Sequence, residues 1–321
     1  MDKVYITFKI PDKGIELLQK EFDVSINHDE KPVSREWFLE HGGEYDAFIT
    51  MLHDTIDRDV LDIMKGRVRA IANYAVGYNN IAAEYAANCG ITVTNTPDVL
   101  TNATAEIAFA LMLSVMRRVV EGDRYVREGA FRMWKPELLL GEETAGKTVG
   151  ILGMGRIGRS FARKCRCFDM KIIYHNRTPL SNEDEEALGA RYVDFPRLLS
   201  ESDVISIHLP LTPRTRHIFT WETFQKMKKG AYLINTGRGP LIKEEDLVKA
   251  LETGLLKGAG LDVYEHEPEV HKGLLELSNT VLLPHIGSAS VKARGTMSLM
   301  VAEAVADVLH GRIPEHKVAG P

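Results

Sequence analysis

Three segments late in the chain carry side chains suited to binding an anion and moving a proton. Arg238 lies in LINTGRG, Glu267 in LDVYEHEP and His285 in LLPHIGSAS. Arginine stays charged and can clamp a carboxylate through two hydrogen bonds, and histidine, with an unperturbed pKa near neutrality, suits a general acid. A glutamate hydrogen-bonded to that imidazole would favour its charged form and fix the ring. These residue types suit the reduction of a 2-oxo acid, in which a hydride and a proton add to the carbonyl group.

A second chemical feature is the glycine-rich stretch VGILGMGRIGRS at 149–160, which fits G-x-G-x-x-G. The first glycine of this pattern permits a tight turn, the second lets a pyrophosphate approach the backbone, and the third lets helix and strand pack closely. A glycine-rich turn without a ligand is the plainer alternative, but the stretch follows a strand pattern and opens a helix pattern, which favours a dinucleotide. The residues predicted to hold the phosphates are Gly153, Gly155, Arg156, Ile157 and Gly158.

The segment HNRT at 175–178 lies where a ribose-binding carboxylate usually follows such a loop, and it contains no carboxylate. Arg177 offers donors matched to a 2′-phosphate, and Asn176 and Thr178 add neutral hydrogen bonds. We therefore expect NADP(H) to be preferred, with NAD(H) possible. Arg177 could instead be a solvated turn residue, or stack on adenine without selecting the phosphate.

The elements that position these residues follow from the alternation of short β-branched runs with helical patterns, which favours parallel α/β sheets. The carboxyl ends of parallel strands form the ligand crevice of such sheets, so the three late segments can converge. We predict an α/β fold of two Rossmann-like domains with parallel sheets and an active-site cleft between the domains. The predicted strands are 3–10, 46–51, 69–76 and 91–96 in a first series, and 148–153, 170–176, 190–193, 203–210, 231–237, 258–263 and 280–285 in a second.

The position of the glycine loop divides the chain. It comes only after about 150 residues, and a long helical pattern follows the last predicted strand. We therefore expect a substrate-binding, flavodoxin-like domain from 1–99 plus 287–321, and a dinucleotide-binding Rossmann domain from 100–286. The segment 103–118 predicts a helix that is apolar on nearly every face, and such a helix is buried between domains or at a subunit interface.

Composition narrows the class of protein. The net charge of −5 gives no reason to expect nucleic-acid binding, and the longest apolar run, 107–116, is too short to span a membrane. Three cysteines are too few for a disulfide framework. We expect a cytoplasmic protein without a signal peptide. We also expect no metal site, because His266 and His271 lack metal-ligand spacing and are interpreted as surface residues.

The chain resembles the D-isomer-specific 2-hydroxyacid dehydrogenases over almost its whole length. The segments that carry the resemblance are VGYNNI (76–81), TNATAEIAFALML (101–113), GKTVGILGMGRIG (146–158), SDVISIHLPLTPRTRHI (202–218), INTGRGPLI (234–242), GAGLDVYEHEP (258–268) and LLPHIG (282–287).

The resemblance implies roles for several residues. It makes Arg238, Glu267 and His285 the catalytic set, with Arg238 and His285 also contacting the substrate. It implies that backbone amides of Val76 and Gly77 hold the substrate carboxylate, with Leu52 nearby. Asp262 is expected at the nicotinamide carboxamide, and the 208–215 loop beside the cofactor. The further cofactor-binding residues implied are Thr104, His208, Pro210, Thr215 and Thr236.

Within this family the chain is most similar to the glyoxylate/hydroxypyruvate reductases, through ITMLHDTID (49–57) and MWKPELLLG (133–141). The second segment implies a homodimer in which Trp134 reaches the partner subunit's active site, although Trp134 could be a simple interface anchor. A reductase of 2-ketogluconate or another D-2-hydroxy acid remains an alternative. A dinucleotide-sensing binding protein similar to corepressors of this fold is a more remote one.

Overall fold

The computed structural model describes residues 1–320. The chain forms two compact units: unit 1 contains residues 1–100 and the segment that begins at Ala289, and unit 2 contains residues 101–288. The long C-terminal helix therefore belongs to the same unit as the N-terminal sheet.

The strands are three to six residues long and consist mainly of buried apolar and β-branched residues, as is typical of parallel strands covered on both faces. In chain order they are β1 (Lys3–Ile6), β2 (Asp23–Ile26), β3 (Ala47–Thr50), β4 (Ala70–Asn73), β5 (Thr92–Thr94), β6 (Thr148–Leu152), β7 (Lys171–His175), β8 (Ala190–Tyr192), β9 (Val204–Ile207), β10 (Ala231–Asn235), β11 (Leu256–Leu261), β12 (Thr280–Leu282) and β13 (Lys317–Ala319).

Several helices begin at a Ser or Asp whose side chain accepts a backbone N–H of the first turn, which otherwise has no partner. In chain order the helices are α1 (Asp12–Leu18), α2 (Arg35–His41), α3 (Arg58–Met64), α4 (Ala83–Asn88), α5 (Thr101–Met116), α6 (Val119–Arg127), α7 (Arg156–Cys167), α8 (Asn182–Leu188), α9 (Phe195–Glu201), α10 (Trp221–Phe224), α11 (Glu244–Glu252), α12 (Lys272–Glu276) and α13 (Val291–Leu309).

The sheet of unit 1 has the order β13-β5-β4-β3-β1-β2. Strands β1 to β5 are parallel and follow the flavodoxin-like order 2-1-3-4-5, whereas β13 runs antiparallel to β5 at the edge. Helix α13 packs on α1 and on β3 and β4, and its Val301 and Val305 are buried in the same cluster as Ile6 and Ile15. The last helix thus covers one face of the first sheet.

The sheet of unit 2 has the order β12-β11-β10-β9-β6-β7-β8, with all strands parallel. Chain connectivity reverses direction at β6, which lies between β7 and β9. Ligands of open α/β sheets bind outside the carboxyl ends of the strands at such a reversal, and the glycine-rich loop follows β6 directly. The predicted α/β fold with parallel sheets is confirmed.

Two features differ from the sequence-based expectation. The edge strands β2 and β13 were not predicted, because each is short and only partly buried and therefore lacks a continuous apolar run. Helix α5 is not buried on all faces within the single chain, and its burial at a subunit interface stays a prediction. One face of α5 is buried, with Ala108 and Leu111 in the core, but Glu106 and Ala110 on another face are exposed.

Candidate active site

The three predicted catalytic residues follow neighbouring strands of unit 2. Arg238 lies three residues beyond β10, Glu267 six residues beyond β11 and His285 three residues beyond β12. These strands are adjacent and parallel, so their carboxyl ends share one edge of the sheet. The fold therefore brings the three loops together there.

His285 and Glu267 form a hydrogen-bonded pair. His285 Nδ1 lies 2.7 Å from Glu267 Oε2, and the backbone N–H of Tyr264 donates to Glu267 Oε1 at 3.0 Å. Burial by itself raises the pKa of Glu267, but the hydrogen bond and charge of His285, the Tyr264 amide and the charge of Arg238 together hold that pKa below its usual value. Glu267 is thus ionised at neutral pH and fixes the imidazole through Nδ1, while Nε2 has no hydrogen-bond partner within residues 1–320.

The backbone around Arg238 is held by Asn235, the last residue of β10. Asn235 Oδ1 accepts the Gly237 N–H at 3.0 Å, and Asn235 Nδ2 donates to the Arg238 carbonyl oxygen at 3.0 Å. Burial lowers the pKa of Arg238 and the charge of Glu267 raises it, but a guanidinium remains protonated in proteins. A fixed cation therefore lies within electrostatic range of Glu267.

Asp262 anchors the loop that carries His285. Its Oδ1 accepts the Ile286 N–H and its Oδ2 accepts the Gly287 N–H, each at 2.7 Å. Both carboxylate oxygens are thus engaged by the two residues that follow the histidine. The contact between Asp262 and the nicotinamide carboxamide stays a prediction.

A reciprocal pair of glutamates that sequence analysis missed joins the Arg238 and Glu267 loops. The Glu265 N–H donates to Glu244 Oε1 at 2.8 Å, and the Glu244 N–H donates to Glu265 Oε2 at 3.1 Å. His217 Nε2 lies 2.5 Å from Glu265 Oε1. Beside this pair, a Cβ at Gly239 would lie 1.8 Å from the Tyr264 carbonyl carbon, so only glycine permits this packing. No sequence spacing indicates these pairings, because they join different strand-end loops.

The glycine-rich loop fits a dinucleotide pyrophosphate. Gly153 has a φ of +102°, and a Cβ at Gly158 would lie 2.2 Å from the Gly153 carbonyl oxygen, whereas a Cβ at Gly155 would meet no atom within 4 Å. Asn176 Oδ1 accepts the Met154 N–H at 2.6 Å and so fixes the turn. Helix α7 then begins without a side-chain cap, so its first-turn amides can face an anion.

Two buried polar atoms near this edge support the fit. His208 Nδ1 and Thr236 Oγ1 are buried and have no hydrogen-bond partner among residues 1–320, although buried polar atoms are normally paired. Burial lowers the pKa of His208 to about 3, so the ring is neutral, and its Nε2 lies 2.9 Å from Ser206 Oγ. Both residues were predicted to bind the cofactor, and a bound group would supply the missing partners.

The remaining predicted cofactor residues occupy varied positions. Arg156 is exposed and Ile157 is half-buried in the first turn of α7. Thr104 is buried on α5. Thr215 Oγ1 donates to the Pro210 carbonyl oxygen at 2.8 Å and so closes the 210–215 turn.

Arg177 and Thr178 are exposed directly beyond β7. Arg177 makes no hydrogen bond or ion pair with any residue in the described range 1–320. By contrast, Arg159 on α7 is paired with Asp184 at 2.7 Å. The Arg177 guanidinium is therefore available to an external anion.

The predicted substrate residues lie apart in the chain. In unit 1, Leu52 follows β3, and Val76 and Gly77 follow β4; these strands are adjacent and parallel, so the two loops share an edge of that sheet. Trp134 belongs to unit 2, in the segment after α6, and is 76% exposed.

A cavity of about 360 Å³ in unit 2 lies away from the predicted catalytic and cofactor residues. Lysines dominate its lining, including Lys147 and Lys257, which bind Glu142 at 2.8 and 2.5 Å and help to lower the pKa of Glu142 to about 2. None of the predicted catalytic or cofactor residues lines it.

Among residues 1–320 there is no group of His, Cys, Asp and Glu arranged to hold a metal ion. No helix in the same range is long and apolar enough to cross a bilayer.

A glycine-rich turn that fits a dinucleotide, together with Arg, Glu and His at one edge of the same sheet, defines a nicotinamide-dinucleotide-dependent oxidoreductase. The family model for the NAD-binding domain of D-isomer-specific 2-hydroxyacid dehydrogenases matches residues 109–287, more than half of the chain. The chain belongs to this family, and the resemblance seen in the sequence is confirmed.

Individual relatives agree with this assignment. A glyoxylate reductase of Thermococcus litoralis is 46% identical over 320 residues, covering 98% of this chain and 96% of the relative. A crystal structure of a Thermus thermophilus protein superimposes with a TM-score of 0.93 at 41% identity, covering 99% of this chain and 100% of that one. An NADPH-dependent glyoxylate/hydroxypyruvate reductase of Sinorhizobium meliloti, solved with NADP and malonate, gives a TM-score of 0.86 at 31% identity, with 99% and 97% covered.

Proposed function

We propose that this protein reduces a small 2-oxo acid, glyoxylate or hydroxypyruvate, to the 2-hydroxy acid, with D configuration where the product is chiral. The observation that carries the proposal is the His285–Glu267 pair at 2.7 Å, together with the half-buried Arg238 whose charge acts on Glu267. The full-length similarity to the glyoxylate reductase of Thermococcus litoralis supports the substrate class.

In the proposed mechanism the chain's own residues bind the substrate and deliver the proton. The reduced nicotinamide, when bound, supplies the hydride that adds to the carbonyl carbon. Arg238 holds the substrate and polarises its carbonyl group, and imidazolium Nε2 of His285 donates a proton to the carbonyl oxygen as negative charge develops there. Ionised Glu267 stabilises the imidazolium through Nδ1. The backbone amides of Val76 and Gly77 bind the substrate carboxylate, with Leu52 beside it.

NADP(H) is the proposed preferred cofactor, with NAD(H) as a possible second. Support comes from the exposed, unpaired Arg177 after β7, from the absence of a carboxylate in 175–178, and from the NADPH dependence of the Sinorhizobium meliloti relative. The amides of the glycine loop and α7 would hold the pyrophosphate, whichever cofactor is bound.

A substrate panel tests the function directly. Oxidation of NADPH and of NADH is followed with glyoxylate, hydroxypyruvate and 2-ketogluconate at matched concentrations. We expect the highest kcat/KM with NADPH and either glyoxylate or hydroxypyruvate. A higher kcat/KM with 2-ketogluconate would favour the alternative, a 2-ketogluconate reductase. No turnover with any 2-oxo acid would refute the proposal.

We further propose a homodimer that buries the 103–118 helix region and the 119–140 region that follows it. Helix α6 has no buried residue, and large apolar side chains stay exposed in and after it, a pattern that marks an interaction surface. The most exposed are Val119 at 54%, Val126 at 59%, Phe131 at 55%, Met133 at 63%, Trp134 at 76% and Leu140 at 64%.

Multi-angle light scattering at micromolar concentration should give twice the chain mass of 35.9 kDa. Phe131→Glu should shift the equilibrium towards monomer, because a charge placed in an apolar interface has no partner. Leu275→Glu is the matched control, since Leu275 is an exposed large apolar residue on α12, outside this region, at 62%. A wild-type monomer would contradict the proposal.

A further inference from the structure

Three successive carbonyl groups of the loop after β4 are held by specific donors. The Ala75 carbonyl oxygen accepts the Thr96 N–H at 2.9 Å. Asn95 Nδ2 donates to the Val76 carbonyl oxygen at 2.8 Å, and Asn73 Nδ2 donates to the Gly77 carbonyl oxygen at 2.8 Å. Two of these three hydrogen bonds are therefore donated by asparagine side chains rather than by the backbone. We call the three hydrogen bonds the ties of this loop.

These ties determine where the loop's N–H groups point. In a trans peptide the C=O and the N–H of the same unit point in opposite directions, and the peptide bonds of this loop are trans. Holding three carbonyls therefore turns the next three N–H groups, those of Val76, Gly77 and Tyr78, away from the donors. None of these N–H groups has an acceptor within residues 1–320, so each of them can donate to a bound anion.

The orientation of the Asn73 amide is set by its neighbours. Asn80 Nδ2 donates to the backbone carbonyl oxygens of Met51 and Asp54, each at 3.0 Å, which requires an NH2 group there. The same Nδ2 lies 3.4 Å from Asn73 Oδ1, and the Thr50 hydroxyl lies 3.2 Å from that oxygen. The Asn73 amide must therefore turn its NH2 group towards Gly77.

The same cluster holds the other loop assigned to the substrate. Asp54 Oδ2 accepts the Met51 N–H at 2.6 Å and the Thr7 hydroxyl. The first hydrogen bond closes the turn that carries Leu52, and the second joins that turn to Thr7. Asn73 and Asp54 are fully buried, and buried amides and carboxylates are costly unless hydrogen-bonded. The hydrogen bonds to these groups offset part of this cost, and they also hold the two neighbouring loops in one arrangement.

We infer that Asn73 and Asn95 are positioning residues that present the N–H groups of Val76, Gly77 and Tyr78 to the substrate carboxylate before it binds. The inference rests on the proposed function, and it adds Tyr78 as a third donor. Preorganised donors save the ordering cost that a mobile loop would incur on binding. Loss of one tie should therefore weaken carboxylate binding more than it slows the chemical step.

The test uses Asn95→Leu, which keeps the side-chain size and adds no charge. We expect the KM for glyoxylate and the Kd for oxalate, measured by calorimetry with the NADP-loaded protein, to rise about 10- to 30-fold. This is the lower part of the range for one charge-assisted hydrogen bond, because the N–H groups lose their orientation but are not removed. The kcat should change less than about 3-fold, and the Kd for NADPH should stay constant. Asn279→Leu is the matched control, because half-buried Asn279 also donates through Nδ2 to a backbone carbonyl, that of Lys257 at 3.3 Å.

The outcomes are separable. If folded Asn95→Leu binds oxalate as tightly as the control, or loses kcat rather than oxalate affinity, the positioning role is refuted and the proposed function stands. If wild type turns over no 2-oxo acid, the proposed function fails, and the oxalate titration still decides the inference; absence of oxalate binding to wild type refutes it. If Asn95→Leu does not fold, Asn95→Ala, which makes room for a water at the Val76 carbonyl, is measured with Asn279→Ala in the same way.

Discussion

His285→Gln is expected to lower kcat for glyoxylate reduction by about 10²- to 10⁴-fold, the contribution of a positioned general acid. The amide keeps a hydrogen-bonding group near Glu267 but has no titratable proton to give to the substrate oxygen. The Kd for NADPH should stay unchanged, because the glycine loop after β6 is untouched. Stopped-flow measurement of NADPH oxidation and a fluorescence titration of NADPH together check both parts.

The control is His266→Gln, at an exposed histidine that directly precedes Glu267 in the loop after β11. It should keep near-normal turnover. Near-normal turnover of His285→Gln would instead mean that a different group carries the proton.

Glu267→Gln tests the tuning of the acid. A neutral amide stabilises imidazolium less than a carboxylate does, so the alkaline limb of the kcat–pH profile should move to lower pH. The pKa of Glu267 is held below the usual glutamate value; in wild type the carboxylate therefore stays charged as pH falls through the usual glutamate range, and is protonated only below it. An alkaline limb that stays in place would remove Glu267 from this role.

Arg177→Asp is expected to reverse the cofactor preference towards NADH. The change removes a donor for the 2′-phosphate and adds a negative charge that repels it. One charge-assisted hydrogen bond is worth about 1.5–3 kcal/mol, or about 10- to 150-fold in affinity. The NADPH-to-NADH ratio of kcat/KM should therefore fall by about 10- to 150-fold from the lost hydrogen bond, and further from the added repulsion.

Arg163→Glu is the charge-matched control, since Arg163 is exposed on α7 and its replacement changes the net charge equally. An NADPH-to-NADH ratio that is the same in Arg177→Asp and in this control would show that Arg177 does not select the cofactor.

The sequence by itself determined the class of fold and the main chemical features. Apolar runs and turn residues act locally, so the strands of unit 2 and the glycine loop could be predicted from short windows. Arg238, Glu267 and His285 could be predicted to converge, because each follows a strand and the carboxyl ends of parallel strands share an edge. Short edge strands such as β13 escaped prediction, since they are only partly buried and carry no continuous apolar run.

Only the tertiary structure decided which atoms meet. His285 could be paired with Glu267 through Nδ1 only once β11 and β12 were known to be adjacent. The use of both Asp262 oxygens by the amides after His285 has no local signature, because 24 and 25 residues separate the partners. The same holds for the tie between Asn95 and the Val76 carbonyl, 19 residues apart. A hydrogen bond requires atoms to be within about 3 Å in a defined direction, and for residues this far apart in sequence only the packing of strands and loops sets that distance.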